Sequence, residues 1–151
     1  MDDEVSRCRT AGASGLKTVL FICSGNSVRS QIAEALVNHY LKDRWAAFSA
    51  GFMPMEVNRN VIKVMAELGI DMSGRWAKHI DLFKDCSFDR IITLCSDADG
   101  MCLNYPVHEE KDRIVFHDPV TSYGFMFSSL SLYRDLRDEM KKKLIGLFGE
   151  G

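Results

Sequence analysis

Residues 18–30 read TVLFICSGNSVRS and decide the fold. The first six form a continuous apolar run rich in β-branched and aromatic side chains, which is typical of a strand buried on both faces. Turn and capping residues follow at once. Apolar side chains then recur at the spacing of one helix face: Ile32, Ala35, Leu36 and Tyr40. The stretch therefore predicts a strand, a tight loop and a helix in direct succession.

The same pattern continues along the chain. Three more short apolar segments predict strands: residues 45–50 (WAAFSA), 90–95 (RIITLC) and 113–117 (RIVFH). Two more stretches have helical spacing, the first ending at Gly69. Their apolar positions are Val61, Val64, Met65 and Leu68 in the first, and Leu136, Met140, Leu144 and Leu147 in the second.

Strands that alternate with helices form parallel sheets through right-handed crossovers. We therefore predict an α/β fold: a small doubly wound sheet of four parallel strands with helices on both faces. We expect residues 1–16, rich in Ser, Gly, Ala and charge, to be a flexible N-terminal lead-in, and residues 17–151 to be a single domain. In such sheets a ligand binds beyond the carboxyl ends of the strands.

Composition narrows the classes of function. The chain has 151 residues, a formal net charge of -2 and a pI near 6.1, so no overall positive field attracts nucleic acid. No apolar run approaches the roughly 20 residues that a membrane span needs. No cysteine pair with histidines at zinc-ligand spacing is present. We expect a soluble, cytoplasmic protein with no nucleic acid partner, no membrane association and no metal or organic cofactor.

The loop after the first strand has the character of an oxyanion site. Cys23 ends the strand and a helix begins shortly after it, so unpaired N–H groups and the positive end of the helix dipole converge beside the sulfur. This field favours the thiolate, which is the nucleophilic form. Arg29 can present its planar fork of donors to a tetrahedral anion, and Ser30 can hydrogen-bond the sulfur. The predicted anion-binding residues are Ser24, Gly25, Asn26, Ser27, Val28, Arg29 and Ser30.

Each of these features has a simpler interpretation. A cysteine at a strand end is more often a small core residue, and a cysteine and an arginine fall at this spacing by accident. The combination favours the site, because the strand, the loop with Gly25 and Asn26, and the helix stand in the order that anion binding requires. Asn26 also suits a position with positive φ.

Residues 19–40 (VLFICSGNSVRSQIAEALVNHY) resemble the low-molecular-weight protein tyrosine phosphatases and the related thioredoxin-coupled arsenate reductases. The resemblance extends over residues 17–148 and includes SAGF, ELGIDMSGRWAKHI, ITLCSDADGMC and FHDP. It implies that Cys23 attacks the oxyanion, that Arg29 clamps it and that Asp118 is the general acid. Asp118 precedes Pro119, which favours extended backbone and suits a carboxyl held over the strand ends.

The remaining cysteines separate the two branches. Cys95 ends the third predicted strand and Cys102 follows a polar loop. A thiol at a strand end and a second thiol on a loop are suited to a disulfide relay. The alternative is that both are unrelated core cysteines, since cysteine is often buried. Residues 93–102 (TLCSDADGMC) are similar to the redox segment of the arsenate reductases. The resemblance implies that arsenate is reduced to arsenite, that Cys95 and Cys102 carry the disulfide in turn, and that a thioredoxin-like protein reduces it.

Several residues depart from the reductase pattern. Val28 replaces a second loop cysteine, Leu103 replaces a proline, and the segment around Tyr123 is unusually aromatic. Two alternatives therefore stand beside arsenate reduction: a tyrosine phosphatase that hydrolyses a cysteinyl phosphate, and a non-enzymatic oxyanion binder or thiol sensor. We expect Cys8 to be an unpaired tail thiol and Cys86 to be a core residue.

Overall fold

The computed structural model describes residues 2–94, 107–116 and 129–149. Their elements follow the predicted alternation of strands and helices. In chain order they are α1 (Asp2–Ala13), β1 (Lys17–Cys23), α2 (Arg29–Tyr40), β2 (Trp45–Gly51), α3 (Arg59–Ala66), a 3-10 helix (Ile80–Phe83), β3 (Ser87–Thr93), β4 (Val107–Arg113) and α4 (Leu130–Phe148).

The four strands form one parallel sheet in the order β2-β1-β3-β4, which confirms the predicted sheet. Strand β1 lies in the interior, and every residue of it after Lys17 is buried. In the register of β1 with β2, Cys23 lies opposite Gly51. The loop after β1 therefore begins at the carboxyl edge of the sheet, where the sequence placed the ligand site.

Helices cover both faces of the sheet, as predicted. On one face, the ring of Phe148 from α4 packs edge to face against Phe21 of β1 and Trp45 of β2. On the other face, the Arg7 guanidinium of α1 lies 4.1 Å from the Phe48 ring centre, and Phe83 of the 3-10 helix packs on the same ring. Neighbouring strand residues point to opposite faces, which allows one strand to serve both layers.

The fourth strand lies earlier in the chain than predicted. The expected strand was residues 113–117, whereas β4 is Val107–Arg113. The difference arises because β4 carries many charged residues and shows no apolar run, so its pairing depends on backbone groups. The residues predicted as this strand still form hydrogen bonds at the end of β3. Ile114 N–H donates to the Thr93 carbonyl at 2.8 Å, and Phe116 N–H donates to the Leu94 carbonyl at 3.2 Å.

The N-terminal segment differs from the expected flexible lead-in, because residues Asp2–Ala13 form helix α1 and pack on β1 and β2. Cys8 was expected to be a tail thiol, but its side chain is 4% exposed and its sulfur lies 3.9 Å from the Ser87 carbonyl oxygen. The buried side of α1 is made of small residues such as Cys8 and Ala11, which give no strong helical pattern. Cys86 is buried, as predicted.

Helix α4 buries the predicted stripe with one exchange. Leu136, Met140 and Leu144 are buried, but Leu147 is exposed and Phe148 takes the last core position. A step of four residues keeps Phe148 on the same face as Leu144, and the large ring fills the space above β1. Within the described ranges, no helix has the length and apolar content needed to cross a membrane.

Candidate active site

Cys23 ends β1 and is 2% exposed. Its sulfur lies 2.8 Å from the Ser30 hydroxyl oxygen, in the first turn of α2. The same oxygen accepts a hydrogen bond of 2.7 Å from the Asn26 side-chain amide. Since Ser30 already accepts from Asn26, its own proton is available to donate to the sulfur. A donor at this position stabilises a thiolate over a thiol.

The loop between Cys23 and α2 is turned so that its carbonyl groups point away from the site. They accept from a neighbouring extended segment: Met53 N–H donates to Ser24 at 2.9 Å, Met55 N–H to Gly25 at 2.9 Å, and Asn58 N–H to Ser27 at 3.2 Å. Among the described residues, none accepts a hydrogen bond from the N–H groups of residues 25–28. Such a row of N–H groups before a helix N-terminus is suited to bind an oxyanion.

Asn26 gives the loop its shape. Its φ is 49°, which confirms the predicted positive value and is the one case outside glycine within the described residues. The side-chain oxygen of Asn26 accepts from the Lys78 N–H at 2.7 Å and from the Gln31 side-chain amide at 3.0 Å. Asn26 thus joins the loop to the start of α2 and to a distant segment of chain.

Arg29 is the first residue of α2, and its side chain is mostly buried at 8% exposure. One guanidinium nitrogen lies 3.5 Å from the carbonyl oxygen of Phe116. That contact places the guanidinium beside the chain that leads to Asp118, two residues later. Asp118 itself, and with it Cys95 and Cys102, lies outside the described residues.

A cluster of buried charged side chains joins helix α2 to the chain segment of Arg75 and Lys78. Glu34 of α2 is 2% exposed and pairs with the Lys78 ammonium at 2.9 Å and the Arg75 guanidinium at 2.7 Å. Ser49 of β2 donates to the same carboxylate. Burial alone would raise the pKa of Glu34, but the two cations and the Ser49 hydroxyl outweigh it and hold the pKa below its usual range.

Hydrogen bonds join three of the predicted site residues, Cys23, Asn26 and Ser30. Arg29 precedes Ser30 at the start of α2, and its guanidinium bonds the Phe116 carbonyl. The structure also adds residues that the sequence reasoning missed, above all Glu34 and its cation partners. A signal was available for Glu34, because it is a lone carboxylate in the otherwise apolar run of residues 32–37. Nothing local marked Lys78, because its contact with Asn26 spans 52 positions in sequence.

The chain is similar in sequence to known proteins. The profile of the family described as low molecular weight phosphotyrosine protein phosphatase matches residues 18–124. Among curated proteins, an arsenate reductase from Shouchella clausii strain KSM-K16 is 37% identical over 130 residues, which are 85% of this chain and 92% of that protein.

Two solved structures extend the comparison to the fold. An arsenate reductase in a phosphate-binding state superposes with a TM-score of 0.76 at 29% identity, covering 89% of this chain and 98% of that one. A thioredoxin-dependent arsenate reductase from Corynebacterium glutamicum gives a TM-score of 0.70 at 26% identity, covering 99% of this chain and 70% of that one.

Proposed function

This chain belongs to the low molecular weight phosphotyrosine protein phosphatase family, and on that basis we propose that it reduces arsenate to arsenite with Cys23 as the nucleophile. The observation that carries the proposal is the Cys23 sulfur, which lies 2.8 Å from the Ser30 hydroxyl oxygen at the start of a loop whose N–H groups at residues 25–28 bond no carbonyl among the described residues. The curated relatives at 36–38% identity are named arsenate reductases, which favours arsenate as the substrate.

In the first step of the proposed mechanism, the loop N–H groups and Arg29 bind arsenate. The Cys23 thiolate then forms a bond to arsenic while the bond from arsenic to one hydroxyl oxygen of the arsenate breaks. Asp118 donates the proton that lets this oxygen depart as water. The positive end of the α2 dipole and the Arg29 guanidinium balance the negative charge that gathers in the loop.

The second step transfers the electrons. The Cys95 thiolate attacks the Cys23 sulfur, the sulfur–arsenic bond breaks, and its electron pair leaves with arsenic as arsenite. Cys102 next attacks Cys95, which frees the Cys23 thiolate and leaves a disulfide between Cys95 and Cys102. A thioredoxin-like dithiol reduces that disulfide by exchange. The cycle needs a reducing compartment, and we therefore propose a cytoplasmic location.

The test is arsenate-dependent oxidation of NADPH in the presence of thioredoxin and thioredoxin reductase. We expect many turnovers from the wild type and no NADPH oxidation from Cys23→Ser or Cys102→Ser. Measured directly, arsenite should amount to none from Cys23→Ser and one per protein molecule from Cys102→Ser, because the disulfide then stays on Cys23. Cys86→Ser is the matched control and should turn over like the wild type, since Cys86 is buried under α1 and takes no part in the relay. Many turnovers by Cys102→Ser would contradict the relay.

Hydrolysis of aryl phosphates is the second candidate, favoured by the family match itself. Arsenate and phosphate are both tetrahedral oxyanions, so the same loop and arginine suit both. In a phosphatase, water resolves the adduct on Cys23 and Cys95 is not needed. The outcome that would favour this candidate is efficient aryl phosphate hydrolysis that survives Cys95→Ser, together with no NADPH consumption on addition of arsenate.

A further inference from the structure

Gln31 is fully buried in the first turn of α2 and has three acceptors around its amide nitrogen. This nitrogen donates to the Asn26 carbonyl oxygen at 3.2 Å, to the Asn26 side-chain oxygen at 3.0 Å and to the Trp76 carbonyl oxygen at 3.0 Å. The opposite amide orientation would place an oxygen against three oxygens. The contacts therefore determine which way the Gln31 amide faces.

The Asn26 amide is fixed in turn. Its oxygen faces two donors, the Gln31 amide and the Lys78 N–H at 2.7 Å. Because a backbone N–H can only donate, rotation of the Asn26 amide would set hydrogen against hydrogen. The Asn26 nitrogen is therefore held toward Ser30, to which it donates at 2.7 Å.

The result is a series of hydrogen bonds that leads to the sulfur. Gln31 donates to Asn26, and Asn26 donates to Ser30, so the Ser30 proton is available to donate to Cys23. Hydrogen bonds in such a chain polarise one another and strengthen the last one. We propose that Gln31 is a positioning residue for Cys23: it fixes the Asn26 amide so that the Ser30 hydroxyl donates to the sulfur. The inference rests on the proposed role of Cys23 as the nucleophile.

The sharpest test is Gln31→Glu, which keeps the size of the side chain but replaces its donor by a carboxylate oxygen. The carboxylate repels the Asn26 side-chain oxygen and attracts its amide nitrogen. We expect this charge to outweigh the bond from the Lys78 N–H, so that the Asn26 oxygen turns toward Ser30. Ser30 donates to that oxygen instead of to Cys23. We expect the rate of Cys23 alkylation by iodoacetamide at neutral pH, followed by peptide mapping of the whole protein, to fall about tenfold.

Gln31→Met is the second variant, and it covers the case in which the buried carboxylate prevents folding. It removes the donor but leaves the Lys78 N–H on the Asn26 oxygen, so we expect a smaller decrease, about threefold. The far-ultraviolet absorbance of the thiolate at neutral pH, measured against Cys23→Ser, should decrease in the same order.

Asn38→Asp is the matched control. It makes the same change from amide to carboxylate on the same helix, where Asn38 bonds the N–H and carbonyl of Ala47 instead of the loop. We expect it to lower the melting temperature and to leave the alkylation rate of Cys23 unchanged. A folded Gln31→Glu protein that is alkylated at the wild-type rate would overturn the proposal, as would an equal decrease in Asn38→Asp. The assay uses neither arsenate nor thioredoxin, so it can fail or succeed independently of the proposed activity.

Discussion

Gly51 lies so close to Ser24 that a Cβ atom at position 51 would be 2.7 Å from the Ser24 carbonyl oxygen. It would also be 2.8 Å from the Asn26 nitrogen and 2.9 Å from the Cys23 carbonyl oxygen. All three neighbours are backbone atoms of the loop or of the strand before it, so none can move without moving the loop that we propose binds the oxyanion.

The first prediction concerns this contact. We expect Gly51→Ala to displace the loop and weaken anion binding by at least tenfold, a loss of about 1.4 kcal/mol. The measurement is the concentration of inorganic phosphate that protects Cys23 from alkylation. Gly12→Ala is the control, because a Cβ there meets nothing within 4 Å and alanine favours the helix. Equal protection in Gly51→Ala and the wild type would contradict the prediction.

The second prediction concerns the buried charges behind the loop. Glu34→Gln leaves the Lys78 ammonium buried without its carboxylate, and we expect a loss of about 3–5 kcal/mol in the free energy of unfolding, measured with urea. Adding Lys78→Met should restore most of it, because the Lys78 N–H that supports Asn26 is backbone and stays in place. A double variant no more stable than the single one would show that charge burial is not the cause.

The third prediction concerns stability in acid. The pKa of Glu67 is lowered from 4.5 to about 2, chiefly because Arg134 and Arg137 of α4 donate hydrogen bonds to its carboxylate. Because the pKa of Glu67 is lower in the folded state than in the unfolded state, its carboxylate stabilises the fold fully above pH 4.5. This stabilisation is lost as the pH falls toward 2. We therefore expect Glu67→Gln to have a lower free energy of unfolding than the wild type at neutral pH. The difference between the two proteins should become smaller as the pH falls from 4.5 toward 2. A difference independent of pH in urea unfolding would argue against this linkage.

The fourth prediction concerns two of the other thiols. Burial, and then the neighbouring Cys86 sulfur, raise the pKa of Cys8 to about 12. Burial also raises the pKa of Cys86. We expect both to remain unlabelled by a thiol reagent in the native protein while Cys23 is labelled, and to become labelled only after unfolding. Rapid native labelling of Cys8 would mean that α1 leaves the sheet on the time scale of the reaction.

The sequence predicted the parts of the fold that depend on local apolar patterns. Strand β1 and helix α2 follow from continuous or periodic apolar residues, because burial is what selects those residues. The positive φ of Asn26 was predictable too, because few residue types tolerate it. The position of strand β4 was predicted wrongly. Its residues are mostly charged, and it pairs through backbone groups, so its side chains show no apolar pattern.

The site was predictable only where its residues are close in sequence. Cys23, Arg29 and Ser30 stand within one loop and one helix turn, so local order places them together. The contribution of Lys78 was not predictable, because its N–H reaches Asn26 only when the chain beyond β2 returns across the loop. Helix α1 was missed for another reason: it buries small residues such as Cys8 and Ala11 in place of a stripe of large ones.

The hydrogen bond between the Asn26 side chain and the Lys78 N–H affects when the loop can fold during protein synthesis. A growing chain released only up to residue 77 has Cys23 and the complete loop sequence, but it lacks the N–H that orients Asn26. The carbonyl of Phe116 that receives Arg29 is synthesised later still. On the ribosome, therefore, Cys23 emerges before the residues that orient its loop, and the loop can reach its final hydrogen bonds only after residues 78 and 116 have been released.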